Sequence, residues 1–322
     1  MGLTHYPNGL TSFGVPVMPH SDLWLPQDAK TYFVSTLAGS NDNIGDYESP
    51  YATVQQAVNQ VPNTSQSTNR NRGTMIYVNP GLYAEQVEVA DRRYMRFIGA
   101  GIGLSIIAGG NSTGTAFTPH GNLASDNVGM VIAARATTVT GFTFRGVGSA
   151  YGLYIGDGGR RDSTWNYDAS DCKVYGNHFD GDEFAGRYAI VTDGCQNNLH
   201  VFNNTFIRWL NGGIAGGSGL ARTTVHASVY GNFFKGCRGY GVRLFAGHQI
   251  GGWCTGPGNV FEDDDTTTLT NPALYEATGA GINFYVGNYE ACTNEFSGQA
   301  TDWHAGNYEG RPGNTMDHVS VA

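Results

Sequence analysis

The sequence predicts an all-β chain, a single-stranded parallel β-helix solenoid with a short N-terminal capping α-helix and an extended N-terminal arm. Three observations predict it. The segments VTGFTF (139–144), VYGNHF (174–179), VFNNTF (201–206), VYGNFF (229–234), PGNVF (257–261) and CTNEF (292–296) recur, and their final Phe residues stand 35, 27, 28, 27 and 35 residues apart. Within each copy, apolar and polar positions alternate with the period of a half-buried strand. The repeat of about 27 residues carries no helical periodicity and is too short for a propeller blade, so each copy reads as one coil that pairs with the coils before and after it.

Residues 1–30 are rich in Pro and Gly, lack a strand period and read as the arm; residues 31–72 read as a cap. Within the cap, Thr53 and Gln56 have capping-box spacing, and Val54, Ala57, Val58 and Val61 form one apolar face, predicting a helix over 53–61. Residues 63–73 (NTSQSTNRNRG) read as a loop. TMIYV, the turn NPG, LYAEQVEV and YMRFIGAGIGLSII open the solenoid, assigned to 73–300 with a tail at 301–322. An open solenoid end exposes unpaired backbone, so the helix is expected to cover it.

Inside the repeat, Phe144, Phe179, Phe206, Phe234, Phe261 and Phe296 are expected to stack as one interior file. Val139, Val174, Val201 and Val229 form a second file five residues earlier. Asn177, Asn204, Asn232, Asn259 and Asn294 stand two residues before the Phe, where a left-handed bend and an amide ladder both suit Asn. A second strand follows each Phe: GLYI (152–155), AIV (189–191), GIA (213–215), GVRLF (241–245) and GINFY (281–285). The five cysteines (172, 195, 237, 254, 292) have no CxxC spacing and read as small buried hydrophobes, giving neither disulfide framework nor zinc site.

Composition narrows the function. Glycine counts 47 of 322 residues, roughly twice the usual share of ~7%. Charged residues make up only 14%, and 27 acidic residues against 18 basic ones give a net charge of −9, which argues against nucleic acid as a partner. No apolar run reaches the ~20 residues of a membrane helix. The opening MGLTHYPNGLTSFG has neither the basic nor the apolar region of an export signal, so synthesis in a host cytoplasm without signal-directed export is expected.

SPYATVQQAVNQV, IYVNPGLYAEQVEV and FIGAGIG resemble the opening of the right-handed parallel β-helix, or pectin-lyase-like, superfamily, with the likeness covering residues ~31–300. That resemblance implies right-handed winding, and its PGxYxExV element is mainly architectural. Residues 6–17, including Tyr6, Pro7, Asn8, Gly9, Phe13, Val15 and Pro16, are similar to the N-terminal arm of many bacteriophage structural proteins. This second resemblance implies a virion-anchoring arm.

The superfamily hosts lyases, hydrolases and esterases, but their motifs do not transfer. Neither DFIFG nor LGRPW occurs; Gly247-His248-Gln249 and the Asp run at 263–265 are fragments of a polygalacturonase-like set; and the Arg-Pro pair, Arg311-Pro312, lies beyond the last repeat. Asp180, Asp182 and Glu183 share a phase with Glu262, Asp263, Asp264 and Asp265 three coils away, roughly 14 Å at ~4.8 Å per coil, too far for a glycosidase pair. With Arg208, Lys235 and Arg238 between them, these read as a solvated charge ladder; a groove for an acidic sugar or a calcium site at 262–265 is the functional alternative. His178 and His200 fall at outward phases, and Trp165, Trp209, Trp253 and Trp303 at loops or strand ends, where they would suit sugars or a subunit interface.

The leading expectation is therefore a non-enzymatic bacteriophage virion structural protein, a capsid-decorating (cement) or head-fibre β-helix. It would be a homotrimer, partnered by the major capsid protein or other virion proteins, without catalytic residues, cofactor or metal. The first alternative is a tailspike-like receptor-binding depolymerase, a polysaccharide lyase or glycoside hydrolase acting on host surface polysaccharide. The second is a non-catalytic carbohydrate-binding adhesin, for which a host surface glycan is the partner.

Overall fold

The computed structural model describes residues 30–62, 73–90, 92–109, 128–146, 151–156, 169–183, 185–193, 198–216, 227–244 and 258–262, with the backbone of short strands at 11–12, 15–16, 249–251, 274–276, 284–286, 289–291, 303–305, 307–309 and 317–319. Three sheets wind around one core. The first holds ten parallel strands from Lys30–Val34 to Trp303–Ala305. The second runs from Gly81–Tyr83 through Asn307–Glu309 and closes with the antiparallel Asp317–Val319. The third has seven strands, Val87–Ala90 to Leu274–Glu276. One coil comprises Lys173–Tyr175, His178–Asp180 and Tyr188–Asp193; the next comprises Leu199–Phe202, Thr205–Ile207 and Gly212–Gly216. The chain is a right-handed parallel β-helix.

In-register pairing turns sequence repeats into files. Tyr32, Ile76, Phe97, Val139, Val174, Val201 and Val229 stack inside the first sheet. Inside the second, Phe144, Phe179, Phe206, Phe234 and Phe261 lie ring on ring, with centroids 5.0, 4.9, 4.5 and 4.7 Å apart and ring planes within 11°. All five are buried. Ring separation equals the strand spacing, so backbone pairing and aromatic contact reinforce each other. Phe296 lies outside the described residues; the strand that follows Phe261 in register is Tyr289–Ala291, with Glu290 opposite Phe261.

The Asn residues form the ladder at the bend between the first two sheets. Nδ2 of Asn177, Asn204 and Asn232 donates to Oδ1 of Asn204, Asn232 and Asn259 at 3.1, 3.1 and 2.9 Å, and each backbone N–H donates to the same oxygen. Phe142 takes the ladder position one coil earlier, its N–H donating to Oδ1 of Asn177 at 3.1 Å. The left-handed bend belongs instead to the preceding residue: Gly141, Gly176, Asn203 and Gly231 have φ of 77°, 63°, 54° and 63°. The ladder Asn thus serves hydrogen bonding, and its neighbour serves the turn. Asn294 lies outside the described residues.

The solenoid begins earlier than the sequence boundary at 73, because Lys30–Val34 already pairs with Thr74–Val78; strands at 303–305 and 307–309 extend the sheets past 300. The helix is Val54–Asn59, with Val54, Ala57 and Val58 buried. Half of the expected capping box forms: Oγ1 of Thr53 accepts from Gln56 N at 3.2 Å, while the Gln56 amide turns to Asn41 O. Glu85 takes over at the helix start, its carboxylate accepting from Val54 N and Gln55 N at 2.8 and 3.0 Å. The Gln55 side chain then pairs with both backbone groups of Glu88, closing the free edge of the third sheet's first strand. The PGxYxExV element is explained: a Cβ on Gly81 would meet Oγ1 of Thr36, Tyr83 donates to Asn79 O at 2.9 Å, Glu85 caps the helix, and Val87 enters the core.

The strand predicted within GINFY is displaced. Phe284–Val286 pairs with Gln249–Gly251 in the first sheet, and Leu274–Glu276 continues the third. The insertion after residue 262 shifted the phase that a fixed spacing assumed. Cys172 and Cys237 are buried free thiols; the other three cysteines lie outside the described residues.

Candidate glycan-binding face

Each sheet has an outer face, and the three differ in chemistry. On the second sheet, Arg145, Asp180, Ile207, Lys235 and Glu262 follow one another in register, so opposite charges sit on neighbouring coils. Arg208 lies one residue past this column and approaches Glu183 at 3.9 Å with both side chains exposed. The ladder expected from the sequence is met at Asp180, Lys235 and Glu262, but Ile207 interrupts it where Arg208 was expected. Residues 263–265 lie outside the described residues, and among the described residues no three ligand-type side chains converge on a metal-sized site. His178 and His200 face outward but are half-buried, and desolvation lowers both pKa values; beside His200, Lys173 lowers it further.

On the first sheet, Tyr175, Phe202 and Tyr230 form an outer stack with centroids 4.8 and 5.1 Å apart. Sugar stacking needs an open aromatic face, and here neighbouring rings occupy each other's faces. Trp209, expected at a binding surface, is buried: its Nε1 donates to Phe179 O at 3.1 Å, and its ring fills the space beside Gly146 and Gly186. Small glycines on two adjoining coils let the indole turn inward, a long-range relation that local sequence did not carry. Trp165 and Trp253 lie outside the described residues.

The third sheet is different. Its outer face is buried at Val128, Val131, Tyr151, Tyr154, Val191, Gly212 and Ala215, and half-buried at Tyr188, Tyr240 and Arg243. One column runs Val128, Tyr151, Tyr188, Gly212, Tyr240; the adjacent one runs Val131, Tyr154, Val191, Ala215, Arg243. Tyr188 stacks on Tyr151, with centroids 6.1 Å apart and planes at 11°. Its other neighbour in the column is Gly212, which offers no side chain. Two coil spacings, roughly 10 Å, therefore separate the Tyr188 and Tyr240 positions. The gap is enforced, because a Cβ on Gly212 would lie 2.5 Å from the Tyr240 carbonyl oxygen.

Arg243 borders this gap, its guanidinium carbon 5.1 Å from the Tyr240 ring centroid. Burial raises the pKa of the Tyr188 phenol; Arg243 and Arg187 oppose that rise and Tyr240 adds to it. Two phenols and two guanidinium groups thus share one electrostatic neighbourhood. The strands Tyr188–Asp193, Gly212–Gly216 and Tyr240–Leu244 carry one carboxylate residue, Asp193, at the end of the first, while Arg187 precedes that strand and Arg243 lies in the last. The sequence showed GVRLF and GIA as strands but gave no sign of this slot, because Tyr188, Gly212 and Tyr240 are brought together only by register.

Of the arm residues, the structure describes only a two-stranded antiparallel backbone pairing, Ser12 with Val15 and Thr11 with Pro16; Tyr6, Pro7, Asn8, Gly9 and Phe13 lie outside the described residues.

Comparison with known proteins places the architecture. Residues 41–141, under a third of the chain, match the family model described as Pectinesterase, which spans the cap and the first coils. No curated protein matches the chain. Pectate lyase Bsp165PelA from Bacillus sp. N165, solved with trigalacturonate, is similar at 15% identity and a TM-score of 0.50, over 87% of this chain and 81% of that one. The GH136 lacto-N-biosidase of Eubacterium ramulus is similar at 11% identity and 0.50, over 82% and 57%. A glycoside hydrolase is similar at 13% identity and 0.46; the chain covers only 37% of its length. The two likenesses at a TM-score of 0.50 agree with the architecture: the chain has the parallel β-helix fold.

Proposed function

We propose that this protein engages an acidic polysaccharide on the outer face of its third sheet. The observation that carries the reading is the slot at Tyr188, Gly212 and Tyr240 with Arg243 on its border. A pyranose ring has an apolar face suited to aromatic stacking, and a gap of roughly 10 Å between ring positions accommodates one sugar between two tyrosines. A guanidinium beside it recognises a carboxylate by paired hydrogen bonds. The partial Pectinesterase match and the trigalacturonate in the Bsp165PelA structure support a carbohydrate ligand.

The reading favours binding over cleavage, since the strands that build the slot supply no acid pair. Display on a bacteriophage particle, with residues 1–30 as anchor and a homotrimeric body, is our proposal for its setting; the resemblance of residues 6–17 to virion arms supports it. The tailspike-like depolymerase is the second reading, favoured by the pectate lyase among the structural neighbours.

Both are tested by presenting the labelled protein to an array of bacterial surface glycans and oligouronides, then assaying any ligand for released oligosaccharide. Binding without product release is expected, lost in Tyr188→Ala/Tyr240→Ala. Product release would move the protein to the depolymerase class. Failure to bind any acidic glycan, or undiminished binding by the double variant, would overturn the proposed site.

A further inference from the structure

Seven of the eight large apolar side chains exposed among the described residues lie between residues 37 and 104, in the first three coils. Four of them share one shoulder, where the chain passes from the first sheet to the second. Leu37, Leu82, Ile102 and Leu104 are 91%, 54%, 56% and 51% exposed. Their proximity follows from backbone contacts. Gly81 N donates to Leu104 O at 2.8 Å, Asn79 N donates to Val34 O at 2.9 Å, and a Cβ on Gly81 would meet Oγ1 of Thr36, next to Leu37. Leu82 is in register with the half-buried Ile106, which extends the patch along the second sheet. Exposed apolar side chains gathered on one shoulder mark a contact surface.

The described body starts at Lys30, the first residue of the first coil, at the same end of the solenoid as the shoulder. Upstream lie 29 residues that include Leu10, Phe13, Val15, Val17, Met18, Leu23, Trp24 and Leu25, against only two acids, Asp22 and Asp28. Residues 10–25 stand 5 to 20 positions before Lys30, which lets them reach roughly 17–70 Å. The shoulder begins three residues past the end of the strand Lys30–Val34, within about 25 Å of Lys30.

We propose that the shoulder formed by Leu37, Leu82, Ile102 and Leu104 is the docking surface for the apolar part of the same chain's N-terminal arm. Tethering gives the arm a millimolar effective concentration at the shoulder, so a modest apolar contact suffices to hold it. An arm folded onto the body is withheld from other partners until one displaces it. The inference is independent of the glycan slot, which lies on another sheet.

Hydrogen exchange on the full chain tests it. In the wild type, amides in residues 10–25 are expected to exchange at least tenfold more slowly than an unstructured peptide. In Leu37→Asp/Leu104→Asp the protection falls to unity while Asn177–Phe179 stays protected. Because both substituted side chains are exposed, the body is expected to remain folded. A photo-crosslinker at Leu82 should join residues 10–25 of its own chain. An unprotected arm, protection indifferent to the double substitution, or crosslinks between isotopically distinct copies would overturn the proposal.

Discussion

Asn204 donates twice to one atom of Asn232: its backbone N–H and its side-chain Nδ2 reach Oδ1 at 3.0 and 3.1 Å. The same side chain also donates to Val174 O at 2.9 Å, while its own Oδ1 accepts the equivalent pair from Asn177. One buried amide thereby satisfies backbone groups on its own coil and the preceding one and joins the side chain of the next. Asn204→Ala is expected to cost about 2–4 kcal/mol, since several buried groups lose partners together. Urea denaturation measures it; a loss below ~1 kcal/mol would mean that water replaces the ladder.

The Phe file makes a graded prediction. Phe206→Ala removes a ring held between Phe179 and Phe234 at 4.9 and 4.5 Å and is expected to cost about 3–5 kcal/mol. Phe206→Leu keeps most of the volume but not the stacking, so its cost should be less than half as large. Equal costs would assign the file's contribution to stacking rather than filled volume.

Acid sensitivity should localise to the outward histidines. The folded state holds His200 below its ordinary 6.5 through burial, with Lys173 adding to the effect. Protonation therefore favours the unfolded chain, and stability contributed by neutral His200 is lost as pH falls through 6.5. The melting temperature of His200→Gln should drop less between pH 7 and pH 5 than that of the wild type. An identical drop would remove His200 from the acid response.

Burial pushes the Cys237 thiol up to about 12, so it presents no thiolate at pH 8, and Cys172 is as fully buried, out of reach of a reagent. Mass spectrometry after iodoacetamide treatment should find both unmodified in the native protein and alkylated in 8 M urea. Native-state alkylation of Cys237 would show that the coils beside Trp209 open readily.

Much of this was legible in the sequence, for a physical reason. A solenoid converts spacing along the chain into contact across coils, so the recurrence of Phe144, Phe179, Phe206, Phe234 and Phe261 encoded the stack directly. Asn177, Asn204, Asn232 and Asn259 did the same for the ladder. Trp209 was misplaced because its burial depends on Gly146 and Gly186, small residues on other coils. GINFY was read as the second strand after Phe261, a place that Leu274–Glu276 takes, because an insertion broke the spacing. The slot escaped notice because its decisive member, Gly212, marks it by lacking a side chain, and glycines abound at the bends of this chain.

Calorimetric titration of the best acidic array ligand into the wild type and Tyr240→Ala decides whether the third sheet holds a sugar. Truncating an aromatic anchor of a binding site costs about 2 kcal/mol, so affinity should fall about 30-fold at unchanged melting temperature. Equal affinity in the two proteins would contradict the account and leave the outer face of the third sheet without a ligand.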